Sequence, residues 1–134
     1  MEVKNITIAI GNQKGGVGKT TSTACIGAAL ALRGKRVLLV DLDAQQNLTF
    51  TLTQNEDPET SIYDTLVKDQ PLPIVPIREN LDLVPASLDL ARAEIDMATM
   101  MAREGILKSY LDEQKEKYDY ILMDCSPSLG IVTT

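Results

Sequence analysis

Two lysines and a group of glycines near the start of the chain form a pattern that could bind phosphate. The segment GNQKGGVGKTT covers residues 11–21. Lys19 could reach the β- and γ-phosphates of a nucleotide, and the hydroxyl of Thr20 could ligate Mg²⁺. Three glycines allow the backbone to turn tightly and to point its N–H groups inward, namely Gly15, Gly16 and Gly18. The segment therefore predicts a phosphate-binding loop.

The second lysine, Lys14, stands outside the ordinary phosphate-loop pattern. In the pattern G-x-x-x-x-G-K-S/T a single lysine holds the phosphates, and the first glycine of that pattern would fall at Gln13. From the residues alone, Lys14 either binds phosphate within its own chain or points to water.

Carboxylates follow two further apolar segments of the chain. Asp41 and Asp43 end the segment RVLLVDLD, and Asp124 ends YDYILMD. Ligands in open α/β sheets bind at the carboxyl ends of the strands, so we predict that these acids lie at the phosphate site. Asp124 could hold the shell of Mg²⁺ through water. The alternative for Asp41 and Asp43 is a polar strand end exposed to solvent.

Short apolar segments alternate with helical ones along the chain, which indicates an α/β fold with a mainly parallel sheet. Strands are predicted at residues 5–11, 36–43, 81–85 and 118–124. Helices are predicted at residues 19–33, at 61–69, from Ser87 onward and at 106–117. A loop containing Pro71, Pro73 and Pro76 is predicted before the third strand. The chain is expected to stop within the fold, just after its fourth strand.

The composition is that of one domain, here taken as residues 1–134, with 44% hydrophobic and 24% charged residues. No signal peptide and no membrane-spanning segment is predicted, which places the protein in the cytoplasm. A net charge of −6 argues, by itself, against a nucleic-acid surface in these residues. The sequence has no histidine, so any acid–base role falls to carboxylates, lysine or water.

The segment KGGVGKTT resembles the deviant Walker A motif of the ParA/MinD family of ATPases, and NQKGGVGKTT resembles its Soj-like ParA partition members in particular. This resemblance implies a P-loop NTPase fold with three α/β/α layers. It also implies that ATP contacts Lys14, Gly15, Gly16, Val17, Gly18, Lys19, Thr20 and Thr21. In the family the extra lysine, here Lys14, reaches the nucleotide of the other subunit. The resemblance implies a catalytic role for both Lys14 and Lys19.

Two further segments resemble motifs of the same family. DLDAQQNLT is similar to D-x-D-P-Q-G-N-x-T, which implies that Asp41 supports the Mg²⁺ site and that Asp43 orients the attacking water. The chain departs from this motif at Ala44 and Gln46. YDYILMDCSPSLG resembles the Walker B strand and the switch after it, with D-x-P-P replaced by residues 124–127. The implied metal residues are Thr20, Asp41 and Asp124.

The resemblance implies an Mg²⁺-dependent ATPase that forms a homodimer across the nucleotide. When complete, it would bind DNA without sequence preference through a missing C-terminal half and associate with the bacterial nucleoid. It would respond to a ParB-like partner, and no association with a membrane is expected. One alternative is a MinD-like, membrane-associated division-site ATPase, which needs a C-terminal amphipathic helix. The other is a truncated, non-catalytic nucleotide-binding fragment. We also expect residues 5–11 to form a sheet edge, covered by a second chain or by a rearranged segment of the same chain.

Overall fold

The computed structural model describes residues 5–11, 17–55, 57–93 and 97–125. Its strands are β1 (Ile6–Gly11), β2 (Val37–Leu42), β3 (Val75–Arg78), β4 (Leu81–Val84) and β5 (Tyr120–Cys125). Its helices are α1 (Val17–Leu32), α2 (Asn47–Thr53), α3 (Ile62–Lys68) and α4 (Met97–Gln114), with a 3₁₀ helix at Leu88–Ala93. None of the helices in the described ranges is long and apolar enough to cross a membrane.

The strands form one five-stranded sheet in the order β1-β5-β2-β4-β3. The pairs β1–β5, β5–β2 and β2–β4 are parallel, whereas β3 runs antiparallel to β4. The predicted α/β fold with a mainly parallel sheet is therefore confirmed. Every residue of β2 is buried, as expected of a nearly continuous apolar strand covered on both faces.

Two apolar layers cover the two faces of the sheet. On one face Leu39 and Leu122 pack in a cluster with Ala31 of α1 and Leu48 of α2. On the other face, Leu38 and Ile121 belong to a second cluster that includes residues of α3 and α4: Ile62, Leu66, Leu107 and Leu111. Because residues of one strand alternate between the two clusters, the sheet forms the middle layer of three.

Close packing holds α1 on the sheet and so fixes the helix that begins at the predicted phosphate loop. A side-chain carbon added at Gly27 would lie 2.9 Å from Cδ2 of Leu39. The helix ends at Leu32, and the chain turns away at Gly34, whose φ of 84° is easily adopted by glycine. The N–H groups of Gly34 and Lys35 donate to the carbonyls of Ala31 and Leu30.

The structure differs from the sequence-based expectations at four elements. The proline-containing loop includes an edge strand, β3, in which Pro76 lies next to a register shift; an edge strand tolerates a residue without an N–H. The helix α2 was not predicted at all. The residues after Ser87 form a 3₁₀ helix, and α4 extends from Met97 to Gln114 rather than from 106 to 117.

Candidate active site

The carboxyl ends of β2 and β5 bring two aspartates side by side in the middle of the sheet. Asp41 and Asp124 are direct partners in the parallel register of these strands, and both are fully buried. On the other side of β5, Asp124 is the register partner of Ile10 in β1, the strand that leads into the glycine-rich segment. The predicted convergence of these acids at the strand ends is therefore observed.

Thr20 joins this pair from the first turns of α1. Its hydroxyl donates a hydrogen bond of 3.2 Å to Oδ2 of Asp124, across 104 residues of sequence, and its side chain is buried. A hydroxyl beside a carboxylate is a set of hard oxygen donors, the kind that Mg²⁺ prefers. Thr20 and Asp124, two of the three predicted metal residues, are thus placed in direct contact.

The third predicted metal residue, Asp41, has both carboxylate oxygens occupied by donors of its own chain. Its Oδ1 accepts the N–H of Asp43 at 3.1 Å, and its Oδ2 accepts the N–H of Thr49 at 2.9 Å and the hydroxyl of Thr49 at 2.6 Å. These contacts favour a supporting role at a metal site over direct ligation. Burial raises the pKa of Asp41 to about 7, and Asp124 raises it too, while the hydrogen bonds from Thr49 and Asp43 oppose the shift.

A tight turn holds Asp43 just beyond the end of β2. Its Oδ1 accepts the N–H of Gln45 at 3.0 Å, and its carbonyl oxygen accepts the N–H of Gln46 at 2.9 Å. The side chain is 7% exposed. The predicted water-positioning acid is therefore fixed in its turn by backbone donors rather than exposed at a strand end.

Two residues of this region, Gln46 and Thr49, were not among the predicted site residues. Both are buried, and both contact the backbone of Ala86 after β4: Nε2 of Gln46 donates to its carbonyl oxygen at 2.9 Å, and its N–H donates to Oγ1 of Thr49 at 2.9 Å. The threonine that ends the motif D-x-D-P-Q-G-N-x-T was a signal that could have identified Thr49. For Gln46 the sequence offered only its departure from that motif.

Some of the predicted nucleotide-binding residues, and part of the predicted switch segment, lie outside the described ranges. Lys14, Gly15 and Gly16 lie outside the described residues, as do Ser126 and Pro127 after the β5 strand. Val17, Gly18 and Lys19 form the start of α1. Thr21 is exposed on the same helix.

Within the described ranges there is no group of three or more histidine, cysteine, aspartate or glutamate residues that could hold a metal ion. Mg²⁺ in nucleotide sites commonly takes one or two protein ligands and completes its shell with water and phosphate oxygens. The Thr20–Asp124 pair fits that kind of site.

Comparison with known protein families gives one match over nearly the whole chain. Residues 5–134 match a family described as AAA domain. Among characterised relatives, the chain is 51% identical to the sporulation initiation inhibitor protein Soj of Bacillus subtilis, over 94% of this chain and 51% of that protein. The chain therefore spans about half the length of this relative.

Solved structures show the same similarity. Cobyrinic acid a,c-diamide synthase from Mycobacterium smegmatis, with bound ADP and magnesium, superimposes with a TM-score of 0.84 and 43% identity, over 96% of this chain and 54% of that one. A plasmid partition protein from Borrelia burgdorferi gives a TM-score of 0.82 and 31% identity, over 96% and 59% of the two chains.

Proposed function

The chain belongs to the AAA domain family, and from this premise we propose that it is the nucleotide-binding portion of a partition ATPase that binds ATP with Mg²⁺ and hydrolyses the ATP. The observation that carries the proposal is the buried contact between Thr20 and Asp124, at the point where β1 leads into the glycine-rich segment. The structure of the M. smegmatis synthase contains ADP and magnesium, which supports the proposal that this chain binds a nucleotide and Mg²⁺. The partition role rests on similarity to the chromosome-partitioning ATPase Soj of Treponema pallidum and to the Borrelia plasmid partition protein.

The residues of this chain divide the work between binding and reaction. The glycine-rich loop and Lys19 would hold the β- and γ-phosphates, and Thr20 and Asp124 would hold Mg²⁺, Asp124 through water. Bound Mg²⁺ would offset the negative charge that develops on the phosphate oxygens. Asp41 would keep the neighbouring turn in place, because its carboxylate already accepts the N–H of Asp43. Asp43 would orient the water that attacks the γ-phosphate.

Assembly is a further part of the proposal. Lys14 would reach the nucleotide of a second subunit. There the charge of Lys14 would offset the negative charge that develops as the phosphoryl group leaves. Two such lysines would repel each other without phosphates between them, so nucleotide would favour a homodimer. DNA binding without sequence preference and stimulation by a ParB-like partner are proposed for the whole protein, on the resemblance of its motifs to those of ParA partition ATPases.

The test of the proposed function is ATP binding and hydrolysis by the full polypeptide that contains this sequence. Lys19→Ala should raise the Kd for ATP at least about a hundredfold, because it removes the main cation from the phosphates. Asp43→Asn keeps an acceptor for the N–H of Gln45, so it should bind ATP normally and hydrolyse it at least about a hundredfold more slowly.

Lys35→Ala is the matched control, because Lys35 is an exposed lysine beyond the other end of α1. It should leave both the ATP Kd and the turnover unchanged. Near-normal ATP affinity in Lys19→Ala would contradict the phosphate-loop assignment. Parental turnover in Asp43→Asn would remove the water-positioning role from Asp43.

The proposed dimer has its own test in Lys14→Ala. This variant should bind ATP with nearly the parental affinity as a monomer, because Lys19 and the loop remain. It should lose ATP-dependent dimerisation, seen by sedimentation velocity, together with most of its turnover. Sedimentation and hydrolysis that match the parent protein in the presence of ATP would exclude a cross-subunit role for Lys14.

A further inference from the structure

We propose that Gln46 is a positioning residue, which fixes the Asp43 turn by clamping it to the loop after β4; the proposal rests on the ATPase function proposed above. The first observation is the backbone of Gln46. Its φ of 61° and ψ of 25° lie in the left-handed region, which residues with a β-carbon rarely adopt. Four non-glycine residues in the described ranges have positive φ, and they are Gln46, Gln54, Asp69 and Asn80. Of these four, Gln46 alone is buried.

The second observation is what the side chain of Gln46 contacts. Its amide nitrogen Nε2 donates to the carbonyl oxygen of Ala86 at 2.9 Å, in a buried hydrogen bond that spans 40 residues of sequence. The N–H of Ala86 is held at the same time by the hydroxyl of Thr49 at 2.9 Å. Both backbone polar groups of Ala86 are thus bound by side chains from the segment that begins at Gln46. Glycine would suit the left-handed backbone but could not make the first of these bonds.

The third observation links this clamp to Asp43. The N–H of Gln46 donates to the carbonyl oxygen of Asp43 at 2.9 Å, and the carbonyl oxygen of Gln46 accepts the N–H of Phe50 at 2.8 Å. Gln46 therefore connects the Asp43 turn, the start of α2 and the Ala86 peptide. If its side chain releases Ala86, the segment keeps only the hydrogen bond from Thr49 to this peptide, and the Asp43 turn loses the one made by the residue that closes it. The carboxylate that we assign to the attacking water would then occupy its place for a smaller fraction of the time.

Two substitutions separate this role from a purely structural one. Gln46→Gly removes the clamp and relieves the backbone, so the thermal midpoint should stay the same or rise. Gln46→Glu keeps the size of the side chain but replaces the amide donor with an acceptor. In the full polypeptide that contains this sequence, both should lower kcat by about tenfold or more and leave the Kd for ATP within about twofold. A variant with unchanged or higher stability and lower kcat is not explained by loss of folding.

Gln54→Gly is the matched control. Gln54 has the same φ of 61°, but it is exposed, so the substitution relieves the same backbone conformation without touching Ala86. We expect its kcat to equal that of the parent. Amide hydrogen exchange at Gln45, whose N–H donates to Oδ1 of Asp43, gives a readout of the turn that does not depend on hydrolysis. Exchange should be faster by about tenfold in both Gln46 variants and unchanged in Gln54→Gly.

The outcomes distinguish this proposal from the function on which it rests. Unchanged exchange at Gln45 in both Gln46 variants would overturn the clamp. Faster exchange with parental kcat would also overturn the proposal, because the contact would then be structural only. If the unsubstituted polypeptide does not hydrolyse ATP, the proposed function itself fails, and the positioning role fails with it.

Discussion

Burial and hydrogen bonding compete directly at the carboxylate of Asp41. Three donors point at its two oxygens, one from Asp43 and two from Thr49, and each favours the charged form. Complete burial and the neighbouring Asp124 favour the neutral form, and burial has the largest effect, so the pKa of Asp41 rises to about 7. The site is therefore built around an acid that is hard to ionise, next to one that contacts Thr20.

We predict that Asp41 titrates far above an ordinary aspartate in nucleotide-free and magnesium-free buffer. The ¹³Cγ chemical shift of Asp41 should report a midpoint near 7. The folded pKa exceeds the unfolded value of 3.8, so the stabilisation from protonating Asp41 is complete below pH 3.8 and disappears as the pH rises through 7. The free energy of unfolding that depends on this group is on the order of 4 kcal/mol.

Substitution of its donor gives the control for this titration. Thr49→Val removes the hydroxyl that donates at 2.6 Å and should move the midpoint of Asp41 further upward. Thr51→Val makes the same change at an exposed position of α2 and should leave the midpoint in place. A midpoint below 4 in the parent protein would mean that the three hydrogen bonds outweigh burial.

The sequence predicted which acids meet at the site, but it did not predict how they are held. Asp41 and Asp124 end apolar segments, and parallel strands bring such ends to one edge of a sheet, so their proximity followed from the pattern. The clamp on Ala86 depends on a left-handed backbone at Gln46 and on hydrogen bonds that span 37 and 40 residues of sequence. No local pattern of residue types specifies either feature.

At the scale of elements, the strength of the local sequence pattern explains which strands and helices were predicted and which were missed. β2 and β5 are buried in the middle of the sheet, and their apolar segments identified them directly. β3 is a four-residue edge strand that contains Pro76, so it carries no clear alternation. α2 has seven residues and no side-chain cap at its start, whereas α3, which is equally short, begins with a capping box at Ser61. The turn between β3 and β4 contains Asn80, whose φ of 67° lies in the left-handed region.

The contact between α1 and β2 gives a prediction about element packing. Gly27→Val should reduce the free energy of unfolding by about 1–3 kcal/mol, because its first side-chain carbon would lie 2.9 Å from Cδ2 of the fully buried Leu39. The measurement is chemical denaturation of the full polypeptide that contains this sequence. Gly105→Val is the control, because the first side-chain carbon added at this position of α4 meets nothing within 4 Å, and its effect should stay below about 0.5 kcal/mol. Equal effects of the two substitutions would show that α1 can move away from the sheet at little cost.

At the scale of the whole molecule, the sheet is asymmetric. β3 closes one edge as a short antiparallel strand, whereas β1 forms the other edge and, in the described ranges, pairs only with β5. Ile6 and Ile8 of β1 are 46% and 42% exposed. The position of β1 at an edge was expected, but no described segment of the chain folds back to cover it. The expectation of a rearranged segment is therefore not met in the part of the chain that the structure describes.

We predict that the 134-residue chain, produced by itself, associates with further copies through β1. An edge strand presents a row of N–H and C=O groups to any strand that approaches, and apolar side chains on it favour pairing over hydration. Light scattering should show a mass that rises with protein concentration. Ile8→Lys should reduce this association, because a charge on an edge strand opposes pairing with another strand.

Leu32→Lys distinguishes strand pairing at β1 from nonspecific association through exposed apolar surface. Leu32 is 78% exposed at the end of α1, so this substitution removes more exposed apolar surface than Ile8→Lys and adds the same charge, but it leaves the sheet edge unchanged. If β1 directs the association, only Ile8→Lys should abolish it. Equal suppression by both variants would show that apolar surface and net charge, rather than the free edge, control the behaviour. A chain that stays monodisperse and monomeric at high concentration would contradict the prediction, because an accessible parallel edge with two exposed isoleucines would then lack any tendency to pair.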